Sequence, residues 1–496
     1  MTSKLNWTPH IDNILNKARN AINLLKIIAS QPWGKNTATL RALAIALVRS
    51  KLTYAQETFF SAPKCTLQKL QSIDCKAFKI ALGVPFHTNN LGTYHEIDVL
   101  PLDYCRKKSA LNFIMKSKVY KNFCFEETRI RAEMNYTKRG KLIKALQPIY
   151  SYCYEEITLL PSNGEDIEAI NYAHAVPIWN KNSAKFDIEN VKLTKATQPA
   201  LLKQLTLEHL NNNYNNYIKI YTDGSKTETN DVGAGFAIPT FNIKHSFYIG
   251  KYYSTFTAEL VGIQQALLFI HNTNRDWRNI LLCVDSKSAL LALKSSFNSI
   301  RESLINDIKN LVNDLMTTGY DIVFFWIPAH IGLIGNELAD RAAKNGANDT
   351  INSKHIHILL SFHEYKCEIE RLIQDQYKNT ITLNKGSYFD HCVKHPTSLK
   401  PRLLWKSETI SRSRNISSLI AKLRLNALKT KYSNNITCVC KNILSVPHII
   451  KDCCIFQDYL KDIPNIDKPI QSILNDIESL TQLAKKLHNS TIKNLL

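Results

Sequence analysis

Four acidic residues occupy the places where an α/β fold collects its chemistry. Asp223 and Asp285 each close a β-rich run, and Glu259 and Asp340 stand in the opening turns of two helical stretches. Each alone has an ordinary explanation: Asp-Gly is a common turn, and a carboxylate near a helix N-terminus complements the helix dipole. Brought together, the four would repel one another and hold their protons more tightly unless cations neutralised them. Hard oxygen donors in that number suit Mg²⁺ or Mn²⁺, and two such ions can activate a water and stabilise the leaving oxygen of a phosphodiester. A second set, Cys438-x-Cys440-x7-His448-x4-Cys453 with Cys454 adjacent, offers thiolate and imidazole donors for tetrahedral Zn²⁺. Its Cys-x-Cys is tighter than the usual two-residue spacing.

The segments that must position the carboxylates alternate in type. Tyr217 to Thr222 is a β-rich run that stops at a turn signal, Asp223-Gly224-Ser225. Val232 to Ile238 and Lys244 to Gly250 read as two further strands, parted by Pro239 and Asn242. Thr257 opens a helix in which Leu260, Ile263, Leu267 and Ile270 share one face. Asn279 to Val284 is a buried-strand type run, followed by a helix through Leu290 and Leu293 and another carrying Ile300, Leu304, Ile308, Leu311 and Leu315. A last strand, Tyr320 to Ile327, stops at Pro328, and a final helix starts near Asn336, its natural N-cap. The order predicts an α/β layer fold with a mixed five-stranded sheet and flanking helices over residues 215–350.

The chain of 496 residues is 44% apolar and carries 63 Lys+Arg against 42 Asp+Glu, a formal +21. That is enough for several cores, and basic enough to expect a polyanionic partner. The charge is uneven. Residues 215–350 hold 12 basic and 13 acidic side chains, residues 1–214 hold 29 and 17, and residues 351–496 hold 22 and 12. A near-neutral middle between basic flanks suits an enzyme core whose neighbours hold a phosphate backbone. Residues 1–110 read as helical, with Ile11, Ile14, Leu15, Ala18, Ile22 and Leu25 at helical spacing, a break at Pro32-Trp33-Gly34, and a third helix ending at Gly83-Val84-Pro85. Residues 111–214 read as a mixed connector broken at Pro148, Pro161, Pro177 and Pro199, closing on an Asn-rich linker, Asn211 to Asn216. Beyond it lie a basic helical connector (351–431), the Cys/His segment (432–470) and a helical tail (471–496). The apolar run Ala42 to Val48 is closed by Arg41 and Arg49, too short to span a membrane, and no continuous apolar stretch near the start makes a secretory signal. Twelve scattered cysteines read as reduced thiols of an intracellular protein, in nucleus or cytoplasm, and oligomeric state is not legible.

At the acidic residues the sequence resembles type 1 ribonuclease H. The blocks are Tyr221-Thr222-Asp223-Gly224-Ser225, Thr257-Ala258-Glu259-Leu260, Val284-Asp285-Ser286, and Ile327-Pro328-Ala329-His330 followed by Gly335-Asn336-Glu337-Leu338-Ala339-Asp340. They stand in family order. The resemblance implies cleavage of the RNA strand of an RNA–DNA hybrid, with two divalent ions held by Asp223, Glu259, Asp285 and Asp340 and with Asp223 bridging both. His330 matches the family's mobile histidine, which assists near the scissile phosphate or in product release. Ser225, Thr257 and Asn336 are candidate substrate contacts, the first two for the 2′-hydroxyls that mark an RNA strand.

The flanks resemble the segment downstream of the polymerase core in Jockey-type non-LTR retrotransposons. The residues are Leu5 to Ile11, Pro32-Trp33-Gly34, Ala81-Leu82-Gly83 and Leu100-Pro101-Leu102. The resemblance implies a helical thumb that grips a template–primer. The chain has no Asp-Asp dipeptide, so DNA synthesis is not expected of it. It reads as the C-terminal piece of such an element or a copy truncated at its 5′ end. Elements of this type end in a Cys-Cys-His-Cys motif behind a basic helix such as Arg412 to Lys431, which would pair Cys438, Cys440, His448 and Cys453 with zinc in a nucleic-acid clamp. The alternative is a catalytically idle remnant that binds nucleic acid through its basic flanks.

Overall fold

The computed structural model describes residues 7–30, 35–60, 62–120, 149–164, 166–169, 184–188, 198–273, 275–295, 302–349, 351, 353–386, 388–393, 404–405, 407, 410, 413–427, 438, 440–442 and 445–489. They fall into two compact units. One comprises residues 1–113, 127–154 and 370–496; the other comprises residues 114–126 and 155–369. Leu5, Asn6, Pro32-Trp33-Gly34, Pro148, Pro177, Ile300, Arg412 and Lys431 lie outside the described residues. No described helix is long and apolar enough to cross a membrane.

The second unit is built on a sheet of β1 (Lys185–Asp187), β2 (Ile218–Lys226), β3 (Asp231–Ile238), β4 (Ile243–Lys251), β5 (Asn279–Val284), β6 (Asp321–Trp326) and β7 (Lys354–His355). Their spatial order is β1-β6-β5-β2-β3-β4-β7. β1, β6, β5 and β2 run parallel, β3 is antiparallel to β2 and to β4, and β7 joins β4 in parallel. The five strands expected from periodicity are therefore the middle of a seven-stranded sheet. The two added edge strands are three and two residues long, too short to carry a hydrophobic period.

Alternation along the parallel strands divides their side chains between two faces. Ile280, Leu282, Ile322 and Phe324 pack with helices Thr255–Asn272, Lys287–Lys294 and Glu302–Thr317. Leu281, Cys283, Val323 and Phe325 face the other way, with Leu210, Leu333 and Ala339. Both faces of these strands are covered, so their sequence is apolar throughout. Each such fully buried side chain contributes about 1.5–3 kcal/mol. Leu210 belongs to helix Pro199–Asn213, so the first half of the expected Asn-rich linker is helical. Tyr214, Tyr217 and buried Leu210 pull it onto the sheet. Helix Ile334–Asn348 lies so close to β3 that a Cβ on Gly235 would sit 2.5 Å from the Ala343 nitrogen.

In the other unit, helices Thr8–Ser30, Thr37–Ala44, Lys64–Leu82, Arg414–Arg424 and Ile477–Asn489 enclose one apolar core, with Leu15, Leu40, Phe78, Ile420 and Leu483 all inside it. Residues from both basic flanks thus share a core. Gly83 ends its helix in the left-handed conformation (φ 71°), as the Gly83-Val84-Pro85 signal predicts, and its carbonyl accepts from Ser418 Oγ at 2.9 Å. Trp7 is half-buried and packs its ring on His10 and Phe59. Within this core Glu96 accepts from Arg424 Nε at 2.8 Å and from Tyr388 Oη at 2.9 Å. Both ion-pair side chains are fully buried, so removing one partner would cost about 3–5 kcal/mol. Arg414 donates to the carbonyls of Ile80 and Ala81 at 2.7 and 2.6 Å. In the described part of the basic helix both arginines, Arg414 and Arg424, are thus bound to acceptors of this same unit.

Candidate active site

Parallel pairing of β2 with β5 aligns Thr222 with Val284, so the next residue on each strand, Asp223 and Asp285, emerge side by side at the carboxyl edge of the sheet. β2 does not end there. Its pairing with β3 continues through Gly224 and Ser225 to Lys226, so Asp223-Gly224-Ser225 is strand and the turn comes after it. What the Asp-Gly signal marks is a close approach: a Cβ on Gly224 would lie 2.6 Å from the Glu259 nitrogen and 2.7 Å from Ala258 Cβ. The glycine lets helix Thr255–Asn272 settle onto β2 and lower Glu259 beside Asp223. That helix starts two residues earlier than Thr257, with Ser254 as N-cap, so Glu259 belongs to its second turn.

One carboxylate oxygen from each of Asp223, Glu259 and Asp285 lies within 4.8 Å of the other two. Asp340, on the second turn of helix Ile334–Asn348, adds its repulsion to the Asp223 carboxyl and is held from behind by Lys344 Nζ at 2.7 Å. Three of the four predicted carboxylates, Asp223, Glu259 and Asp285, converge, and the Asp340 charge acts on Asp223 from the neighbouring helix.

Burial dominates their electrostatics. It pushes the Asp223 carboxyl up to about 8, with Asp285 and then Asp340 adding repulsion, while the Gly224 N–H donating to Oδ1 at 2.9 Å opposes the rise. Glu259 is raised well above the usual range by burial and by the charges of Asp285 and Asp223. Asp285 is raised by burial, against the pull of the Asn336 amide and the His330 charge. Glu259 Oε2 is buried with no hydrogen-bond partner. A buried oxygen without a donor, in a cluster of carboxylates that cannot all ionise alone, is a donor set fitted to a hard divalent cation.

The remaining predicted residues differ in where the structure places them. His330 is exposed on the loop after β6, in a left-handed backbone conformation (φ 56°), and its charge reaches Asp285. Ser225 is half-buried two residues beyond Asp223 on the same strand. Asn336 is not the N-cap: the helix starts at Ile334 behind Leu333, and Asn336 Nδ2 instead donates to Asp285 Oδ2 at 3.1 Å. Thr257 is fully buried, and its hydroxyl donates to Glu364 Oε1 at 2.7 Å. This corrects its assignment as a substrate contact, because no face of the hydroxyl is left at the surface. Sequence reasoning missed Trp326, whose Nε1 donates to the Asp285 carbonyl at 3.1 Å and whose ring lies 5.5 Å from Lys287 Nζ. It also missed Lys344, although a lysine four residues after Asp340 on a helix is a readable signal.

In the helical unit, Cys438, Cys440, His448 and Cys453 also converge, each donor atom within 4.8 Å of the others. Cys438 Sγ lies 3.6 Å from Cys453 Sγ, Cys453 Sγ 3.8 Å from Cys440 Sγ, and Cys440 Sγ 3.1 Å from His448 Nε2. The sulfurs are too far apart for a disulfide and match the edge of a tetrahedron of thiolates at about 2.3 Å from a zinc ion. Just after the Cys-x-Cys pair Lys441 adopts a left-handed conformation (φ 69°), and Cys438 N–H donates to the Asn442 carbonyl at 2.7 Å. Cys454 is exposed outside the cluster.

With this geometry in place, comparison with known families is direct. Residues 215–348 match the family model of RNase H. No curated protein matches the chain. The RNase H domain is thus a nuclease-type, nucleic-acid-directed α/β domain, and the matched segment spans all four carboxylates, His330 and Asn336. The Cys/His cluster and the helical unit lie outside it.

Proposed function

We propose that the RNase H domain cleaves the RNA strand of RNA–DNA hybrids, with two divalent ions, Mg²⁺ or Mn²⁺, held by Asp223, Glu259, Asp285 and Asp340. The observation that carries this reading is the convergence of Asp223, Glu259 and Asp285 in a buried cluster with an oxygen left unpartnered. Bound there, the ions would activate a water and offset the charge that develops on the scissile phosphate. The chain's own residues do the positioning. Asn336 fixes the Asp285 carboxylate by its amide, and Trp326 holds the main chain at Asp285 through its carbonyl. Lys344 restrains Asp340. His330, exposed at the edge of the cluster, is placed to exchange a proton with water as product leaves. Ser225, beside Asp223 on the exposed end of β2, is the candidate contact to a 2′-hydroxyl.

Around this centre we assign the chain to the C-terminal part of a Jockey-type retrotransposon protein, an intracellular setting, with residues 1–110 thumb-like and Cys438, Cys440, His448 and Cys453 holding zinc. The family blocks, the flank residues and the donor geometry support this reading, and the inward arginines of the basic helix leave lysines elsewhere to meet the phosphate backbone. DNA synthesis is not part of it. The test is a labelled RNA–DNA duplex incubated with the full chain. RNA-strand cleavage in Mg²⁺ or Mn²⁺, abolished by chelation, is the expected result. Salt-sensitive binding with no cleavage in either metal would establish the idle remnant instead.

A further inference from the structure

We propose that Glu364, sixteen residues beyond the matched segment, is a positioning residue for Glu259 and hence for metal binding. The proposal rests on the hybrid-cleavage reading for its kinetic arm alone. Glu364 is 2% exposed, and both its oxygens are engaged. Oε2 accepts from Ser361 N–H and Ser361 Oγ, each at 2.9 Å, closing the capping box Ser361-x-x-Glu364 that starts helix Phe362–Leu383. Oε1 points elsewhere: it accepts from Ser254 N–H at 2.8 Å and from Thr257 Oγ1 at 2.7 Å. Those donors are the N-cap and third residue of the helix that carries Glu259. A single carboxylate therefore ties two helix starts together across 107 residues of sequence.

The tie matters because of what the same helix meets within its next turn. Gly224 permits contact with the Glu259 nitrogen at a distance no side chain would allow, so β2 stops the helix from moving inward. Outward movement is restrained at its first turn by Glu364, and by Tyr253 Oη donating to the Ile358 carbonyl at 2.5 Å. Glu259 sits two residues after Thr257 on the same rigid element, so loosening the first turn displaces its carboxylate relative to Asp223 and Asp285.

Gln at this position keeps the size but replaces one acceptor oxygen with a donor, so either Ser361 or the Ser254–Thr257 pair loses its partner. In the full chain, Glu364→Gln and Thr257→Val should each lower kcat for hybrid cleavage roughly 10–100-fold, the scale of a misplacement near 1 Å, with KM for the hybrid unchanged. Both should also shrink the rise in Tm that Mn²⁺ alone produces, and Thr257→Ser, which keeps the hydroxyl, should restore both. A lower metal-free Tm with wild-type kcat and a wild-type Mn²⁺ response would overturn the proposal, leaving Glu364 a purely structural cap. If Glu364→Gln does not fold, Thr257→Val, which leaves the capping box intact, decides by the same two measurements. A wild type that responds to Mn²⁺ but does not cut hybrid would sink the activity while the Mn²⁺ arm still judges the positioning; no Mn²⁺ response in wild type sinks the proposal.

Discussion

Replacing Asp223 by Asn should abolish cleavage and stabilise the metal-free protein, two effects of opposite sign from one substitution. The Asp223 carboxyl is 7% exposed and is raised from 3.8 to about 8, first by burial and then by Asp285. Between those values the native state keeps a proton that the unfolded chain has released. Stability therefore falls as pH rises through the window, and the full cost is present above about pH 8. At about 1.36 kcal/mol for each pH interval of one, the ceiling is about 6 kcal/mol. Asp285 and Glu259 share that strain, so neutralising one member should return about 2 kcal/mol. For a unit of about 200 residues this is a Tm increase of about 4–8 °C. The assay is thermal unfolding in EDTA from about pH 4.5 to 8.5, wild type against Asp223→Asn. The two curves should meet at the acid end and separate toward pH 8, and Mg²⁺ should raise the wild-type Tm more than that of the variant. Equal Tm values at pH 8, or a less stable Asn variant, would refute the reasoning, because the carboxylates would then not be held against their own repulsion.

Two further outcomes follow from the geometry. Gly224→Ala puts a methyl group 2.6 Å from the Glu259 nitrogen, so the helix must shift by about 1 Å to restore normal contact. It should lose about 1–3 kcal/mol by overpacking and about 10²-fold in kcat, measured by thermal unfolding and hybrid cleavage; wild-type values in both would contradict the close approach. For the Cys/His cluster, zinc should copurify with the protein, and Cys453→Ser or a strong chelator should lower the Tm of the helical unit while leaving hybrid cleavage in Mg²⁺ intact. A metal-free preparation with an unchanged Tm after chelation would remove zinc from the account.

The flanks show why a charge count is not an interface. The excess of basic residues at both ends predicts a polyanionic partner, yet Arg424 is spent on Glu96 in a closed core and Arg414 on two main-chain carbonyls. Composition records how many guanidinium groups exist, and burial decides which of them can meet a phosphate.

Much of the RNase H domain was legible from local pattern. Hydrophobic alternation and helical spacing marked the five principal strands and their helices in the right order, because periodicity reports which side of an element is buried. The four acidic residues stood out for a related reason: each interrupts a largely apolar run. Periodicity does not report what an element is buried against. Asp223-Gly224-Ser225 looked like a turn because its local propensity is that of a turn, and the helix pressed onto Gly224 makes it strand. Asn336 looked like a cap until Asp285 claimed its amide, and Thr257 looked accessible until Glu364 arrived from beyond the domain. Those pairings join residues 51 and 107 positions apart. Short-range pattern carries no record of them, since each is settled by packing after the chain has closed on itself.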